Sequence, residues 1–171
     1  MASTRTAEEI GSWFTEYGFD DPADTLDGNT KLQKLLFFSW LIHRSKFGKS
    51  LFDDVFFAFP KGPVVESVRQ KYKNSYPLKS LDPSIEFTAE EQETLQLTVN
   101  IFGAANSKQL EDASHRSPAW KKYYNIYIQN QKCDPKARKL EIPKAELDED
   151  VLMIDTVLYA YEHMREEEAV F

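Results

Sequence analysis

Cysteine is nearly absent. The 171-residue chain has one, Cys133, so no disulfide framework forms within it and a reducing compartment, the cytoplasm, is the expectation. Long hydrophobic runs are also missing. The longest, residues 35–42, is broken by Ser39 and flanked by Lys and Arg, too short to span a bilayer. The opening MASTRTAEEIGSWF has no basic segment followed by an apolar core and does not read as a secretory leader. Positive charge is in deficit, with 21 Lys and Arg against 28 Asp and Glu and a net charge of −7. Nucleic-acid binders usually carry the opposite balance. The acidity is local: residues 141–171 hold ten acids and two bases, which leaves the rest of the chain with one positive charge in excess. Within that body, Lys61, Arg69, Lys71, Lys73 and Lys79 form a basic stretch that keeps a nucleic-acid-associated role as an alternative. Internal repeats and low-complexity tracts are lacking too.

The motifs of catalysis are equally scarce. None of His43, His115 and His163 pairs with Cys133 or another histidine at metal-ligand spacing. His163 and Glu167 lie four apart on a predicted helix but have no third ligand, and a solvated terminal turn is the simpler reading. There is no GxSxG, no phosphate-binding loop and no dinucleotide fingerprint. Cys133 falls in a predicted polar, basic loop without a partner base. No catalytic, cofactor-binding or metal-ligating residue is assigned.

What is present is the composition of a globular chain, 42% hydrophobic and 29% charged, with twelve Phe to build an aromatic core. Thr6 and Glu9 have the form of a capping box, and Ile10, Trp13, Phe14 and Tyr17 follow at helical spacing up to Gly18. A turn-rich loop over 20–29 leads to a second helix, capped by Asn29 or Thr30 and ending near Phe47-Gly48. Its apolar residues cover more than one face, which predicts a central, buried helix. Residues 50–59 fit a helical turn or a short strand equally. Pro63 can open a third helix bearing Val64, Val65, Val68 and Tyr72. Pro77 and Pro83 bound a loop, and Thr88 with Glu91 opens a helix through Leu95, Val99 and Phe102. Ser107 starts a short helix ending near His115, and Ser117-Pro118 starts another over 120–128. Leu140 and Ile142 alternate as in a short edge strand, and Asp148 caps a last helix. The predicted fold is a mostly-α, compact single-domain bundle of six or seven helices with room for a short strand or hairpin.

Three features invite a functional reading beside a structural one. Gly62-Pro63 is a rigid corner that either seats Val64 and Val65 in the core or presents its neighbours to a partner. Residues 114–120 place His115 and Arg116 before a helix N-terminus with Trp120 in its first turn; a loop hydrogen bond for His115 and a core position for Trp120 are the simpler account. Glu166, Glu167 and Glu168 sit at the unfavourable end of the last helix's dipole, which suits either a frayed tail or the docking of a basic partner.

Residues 29–38, Asn-Thr-Lys-Leu-Gln-Lys-Leu-Leu-Phe-Phe, resemble the KLQKLLYF block of the Panacea domain, the SocA-type antitoxin family that includes phage-associated GepA-like proteins. The family's later blocks follow in order: Leu51-Phe52-Asp53-Asp54 and residues 56–59, then Gly62-Pro63-Val64-Val65, then Ser114-His115 with Pro118 and Trp120. The likeness covers roughly residues 8–124, with 141–171 as an acidic helical extension. It departs at Lys61, preceded by Pro60, where the family usually has an aromatic. Some relatives carry an added helix-turn-helix domain, for which this chain has no room.

The resemblance implies a non-enzymatic function, neutralising a toxin encoded beside it by direct protein–protein contact. One branch resembles an adaptor that delivers the toxin to a ClpXP-type protease. It implies no cofactor, and it leaves the oligomeric state open. The candidate partner contacts are Phe52, Phe56, Phe59, Lys61, Gly62, Pro63, His115, Arg116 and Trp120. An enzyme or small-ligand protein with its site near His115, Trp120 and Gly62 is the alternative. A pocket joining those residues with a perturbed titratable group would favour it.

Overall fold

The computed structural model describes residues 5–18, 26–74 and 81–170. Most of the predicted 20–29 loop, together with Pro77 and Lys79, lies outside them. The chain begins with α1 (Ala7–Trp13), which carries the predicted Thr6–Glu9 capping box and runs on into a π-helical turn at Phe14–Gly18. Helix α2 (Leu26–Phe47) follows and is the axis of the molecule. It starts before Asn29, so neither Asn29 nor Thr30 is its cap. It stops where Gly48 takes a positive φ of 66°. Every residue from Lys31 to His43 on this helix is buried. The predicted central helix is therefore observed, ringed by α1, α3, α4, α5 and α7.

Residues 50–59 resolve as a strand at their end. Strands β1 (Phe56–Phe59) and β2 (Gly62–Val65) form a tight antiparallel hairpin, with Phe56 opposite Val65 and Phe59 opposite Gly62. The third helix thus does not open at Pro63. It is α3 (Glu66–Asn74), which buries Val68 and Tyr72 as expected. Proline's fixed φ suits a helix start and an edge strand alike. Here β2 is an edge, so the missing N–H of Pro63 leaves no partner strand unsatisfied.

Helices α4 (Ala89–Phe102), α5 (Ser107–Ser114) and α6 (Pro118–Cys133) start on the caps Thr88, Asn106 and Ser117. Cys133 is the exposed last residue of α6, not part of a loop. The predicted edge strand is β3 (Glu141–Ile142), which pairs with β1 and gives the sheet order β2-β1-β3. A 3-10 turn at Lys144–Leu147 precedes α7 (Asp148–Val170), in which Asp148 is the first helical residue. Seven α-helices and one small sheet are thus described. No helix among the described residues is long and apolar enough to cross a membrane.

A single apolar cluster joins the elements. Phe37, Trp40, Phe52 and Phe56 meet edge to face or tilted, with ring centroids 5.4–6.3 Å apart. Ile142, Leu147, Ile154 and Leu158 from the acidic C-terminal segment belong to the same core. That segment is tied in by a polar contact as well. Asp150 on α7 is fully buried and accepts hydrogen bonds from the Ser117 hydroxyl and from Ala119 N–H (3.2 Å), while Ser117 Oγ accepts from Trp120 N–H (3.0 Å). Burial pushes the Asp150 carboxyl above the ordinary Asp range, and these hydrogen bonds oppose the shift. Asp150→Ala leaves a buried hydroxyl and amide unmet at the start of α6. A loss of about 2–4 kcal/mol in urea unfolding is expected.

Candidate functional site

The four polar and apolar letters Lys-Leu-Gln-Lys at residues 31–34 make little sense on a helix that is buried all round, until their targets are seen. Lys31 donates to Gly103 O at 2.7 Å, meeting an orphan carbonyl at the end of α4. Gln33 treats the free edge of β2 as a strand would. Its Nε2 donates to Val65 O (3.2 Å) and its Oε1 accepts from Val65 N–H (2.8 Å). Two residues back along the same edge, Lys34 Nζ donates to Pro63 O at 2.9 Å. The hairpin's open side is thereby closed by side chains from α2, which answers the exposed-edge problem without another strand.

The second clamp comes from α6. Trp120 Nε1 donates to Phe59 O at 2.7 Å, fixing the end of β1. The Trp120 ring is stacked between His115 (centroids 4.3 Å apart, planes 5° apart) and Tyr124 (5.0 Å, 10°). His115 Nε2 is buried without a hydrogen-bond partner among the described residues. Gly62 sits where the clamps converge, at φ 118°. An added Cβ there would lie 2.5 Å from Ser114 Oγ and 2.9 Å from Lys34 Nζ.

Lys34 is 1% exposed. Burial is the main cause that lowers its pKa from 10.5 to about 7; Glu111 opposes the shift and Lys61 adds to it. A near-neutral lysine close to a serine invites comparison with a nucleophile and its base. The geometry does not make that pair, since Ser114 Oγ donates to Glu111 O at 2.8 Å. The cleft that Lys34 lines is bordered by Phe59, Lys61 and Val64, not by His115 or Trp120. Among the described residues, the cleft beside Lys34 does not join the three residues named for the enzyme alternative. Among the described residues no group of His, Cys, Asp and Glu is placed to hold a metal ion. His43 is buried between α2 and α4, where its Nδ1 lies 2.7 Å from Thr94 Oγ1 and burial lowers its pKa. His163 packs on Tyr159, and the side chain of Glu167 lies outside the described residues.

The nine candidate contacts therefore divide. Phe52 and Phe56 are core residues and offer no surface. Gly62, Pro63 and Trp120 are buried and act as frame. Lys61 and Arg116 are exposed, and Phe59 and His115 are half-buried. The Phe59 ring has Arg69 on it at 5.3 Å and Lys139 at 4.8 Å. Arg69 is also held by Glu66 through two bonds of 2.7 and 2.6 Å, which keep the Glu66 carboxyl below the usual range. The outer face of the hairpin turn is thus cationic and part aromatic. Of the basic stretch read in sequence, Lys61 and Lys71 are exposed and Arg69 is paired. The Lys73 side chain lies outside the described residues.

Sequence reasoning passed over Lys34, Gln33, Lys139 and Asp150. The available signal was polar residues on the buried face of a helix otherwise apolar all round. A family model described as "Antitoxin SocA-like, Panacea domain" matches residues 32–121, just over half of the chain. That span holds the α2 clamp, the hairpin and the His115–Trp120 stack. No curated protein and no solved structure matches the chain.

Proposed function

The chain belongs to the Panacea-domain family of SocA-like antitoxins, and from that premise we propose that it neutralises a toxin by binding it directly, through the face built on the β1–β2 turn and the start of α6. One observation carries the reading. Pro60 and Lys61 stand exposed at a turn whose neighbours Phe59, Pro63 and Val65 are gripped from behind by Trp120, Lys34 and Gln33. A surface held this firmly loses little conformational freedom on binding. Lys61, Arg116 and Lys139 give the face its sign, the charge of Arg69 being met by Glu66, so the toxin surface it fits is acidic. Phe59 supplies an aromatic anchor of the kind that dominates interfaces. The acidic C-terminal segment belongs to the same unit on this reading, supported by its residues in the core and by Asp150 beneath α6.

Lys61 and Arg116 are exposed, so reversing both charges leaves the fold intact. The double variant Lys61→Glu, Arg116→Glu is expected to weaken toxin binding at least tenfold, about 1.4 kcal/mol, chiefly through a slower, less salt-sensitive association. Calorimetry with the cognate toxin measures it. An unchanged affinity puts the interface on another face. Toxin abundance, followed with and without a ClpXP-type protease, separates masking from delivery.

A further inference from the structure

Five large hydrophobic side chains are exposed among the described residues, and three of them, Leu152, Tyr159 and Met164, stand on α7 at 62–68% exposure. Exposed apolar residues scattered singly are ordinary, but these have an order. The buried stripe of α7 runs through Asp150, Ile154 and Leu158. On the other side Leu152, Thr156, Tyr159 and His163 follow at spacings of four, three and four, all exposed. That is the seam of a two-helix coiled coil, about 17 Å long at the rise of an α-helix. The His163 ring lies on that of Tyr159, with centroids 4.1 Å apart, which joins one end of the seam into a single surface. Along one border Asp148, Asp155 and Glu162 recur at every seventh position, and all three are exposed. The other border, Met153 and Ala160, carries no charge. Arg44 approaches Asp148 at 3.7 Å, an exposed pair of little strength. Ser45 donates to Asp155, which leaves the charge of that carboxylate in place. Glu166 extends the acidity toward the negative pole of the helix, where no charge of its own offsets it.

A second copy of the chain would not satisfy this surface. In an antiparallel pair the acidic borders face each other, and in a parallel pair each faces the uncharged border of its mate. We propose that the seam of α7 docks a basic amphipathic helix of a partner protein. That helix lays its apolar residues along Leu152, Thr156 and Tyr159, and its lysines or arginines meet Asp155 and Glu162. The charge of the seam is opposite to that of the hairpin turn, so the two faces select partner surfaces of opposite sign. The proposal rests on α7 alone and stands independently of toxin binding at the turn.

The probe is a synthetic peptide of three heptads with Ile and Leu on its seam and Lys on both borders, whose like charges oppose its own pairing. One control replaces each Lys by Glu, and another keeps the Lys but places Ser along the seam. By calorimetry at physiological salt, the first peptide is expected to bind the full chain at least tenfold more tightly than either control. The double variant Leu152→Ser, Tyr159→Ser changes two exposed residues, so it should keep its Tm and lose at least tenfold in affinity. Asp155→Lys with Glu162→Lys should reverse the preference in favour of the Glu peptide, which a merely adhesive helix would not do. No binding at 1 mM, equal binding of the Ser-seam peptide, or full binding by the Leu152→Ser, Tyr159→Ser variant overturns the proposal. A free chain that sediments as a dimer, and as a monomer once Leu152 and Tyr159 are replaced, gives the seam to a second copy and overturns it too.

Discussion

Gly62→Ala is expected to destabilise the protein by about 3–5 kcal/mol, a large part of the 5–15 kcal/mol that holds a typical domain together. Two costs combine. At φ 118° an L side chain is strained, by roughly 1–3 kcal/mol. The new Cβ also meets Ser114 Oγ at 2.5 Å, and Lys34 at 2.9 Å (Nζ) and 3.1 Å (Cε). A long side chain in water would swing away, but Lys34 is buried and bonded to Pro63 O, and Ser114 is bonded to Glu111 O. Overpacking of this kind adds about 1–3 kcal/mol. Urea unfolding reads the sum, and adding Ser114→Gly separates the parts. The double variant should recover the part of the packing cost owed to Ser114 and keep the strain and the close contact with Lys34. A loss below about 1 kcal/mol for Gly62→Ala would mean that the corner yields more easily than its contacts imply.

The opposite sign is expected at Lys34. Lys34→Met should stabilise the protein at pH 7, by about 2 kcal/mol net. An unfolded lysine keeps its proton up to pH 10.5, whereas the folded one releases it near 7. Folding at pH 7 therefore carries a cost of order 4–5 kcal/mol for this group. Losing the bond to Pro63 O returns about 1–3 kcal/mol of that. The pH dependence identifies the cause. Because the folded pKa is lowered, the unfolded chain binds the extra proton between pH 7 and 10.5. Wild-type stability should rise with pH across that window relative to Lys34→Met, and the gap should be constant below about pH 7. Parallel unfolding curves at pH 7 and pH 10 would contradict a buried, near-neutral amine. A residue that weakens the fold is kept for something else, and its hold on the hairpin is a candidate for that use.

Much of this was legible in the sequence where the deciding interactions are local. The capping boxes at Thr6 and Thr88 and the Ser117-Pro118 start are each set within one helical turn, and all three stand where they were read. The short edge strand at Ile142 was legible from its alternation. Pro63 was not, because its φ satisfies two structures and the choice lies with β1, which pairs across the turn. The start of α2 lies at Leu26, ahead of the expected cap at Asn29. The site divided in the same way. Lys61 and Arg116 lie at the surface, while Phe56 is held in the core by Phe37 and Trp40, and Phe52 packs there on Phe56. Lys31 and Lys34 could not be interpreted alone: the carbonyls they meet belong to Gly103 and Pro63, 72 and 29 residues away.

Co-expression with the product of the adjacent open reading frame, followed by purification of the pair, tests the central reading most directly. The account predicts restored growth and a stable complex that retains the toxin, with both diminished in the Lys61→Glu, Arg116→Glu variant. A folded, abundant protein that neither restores growth nor co-purifies with that product would contradict it.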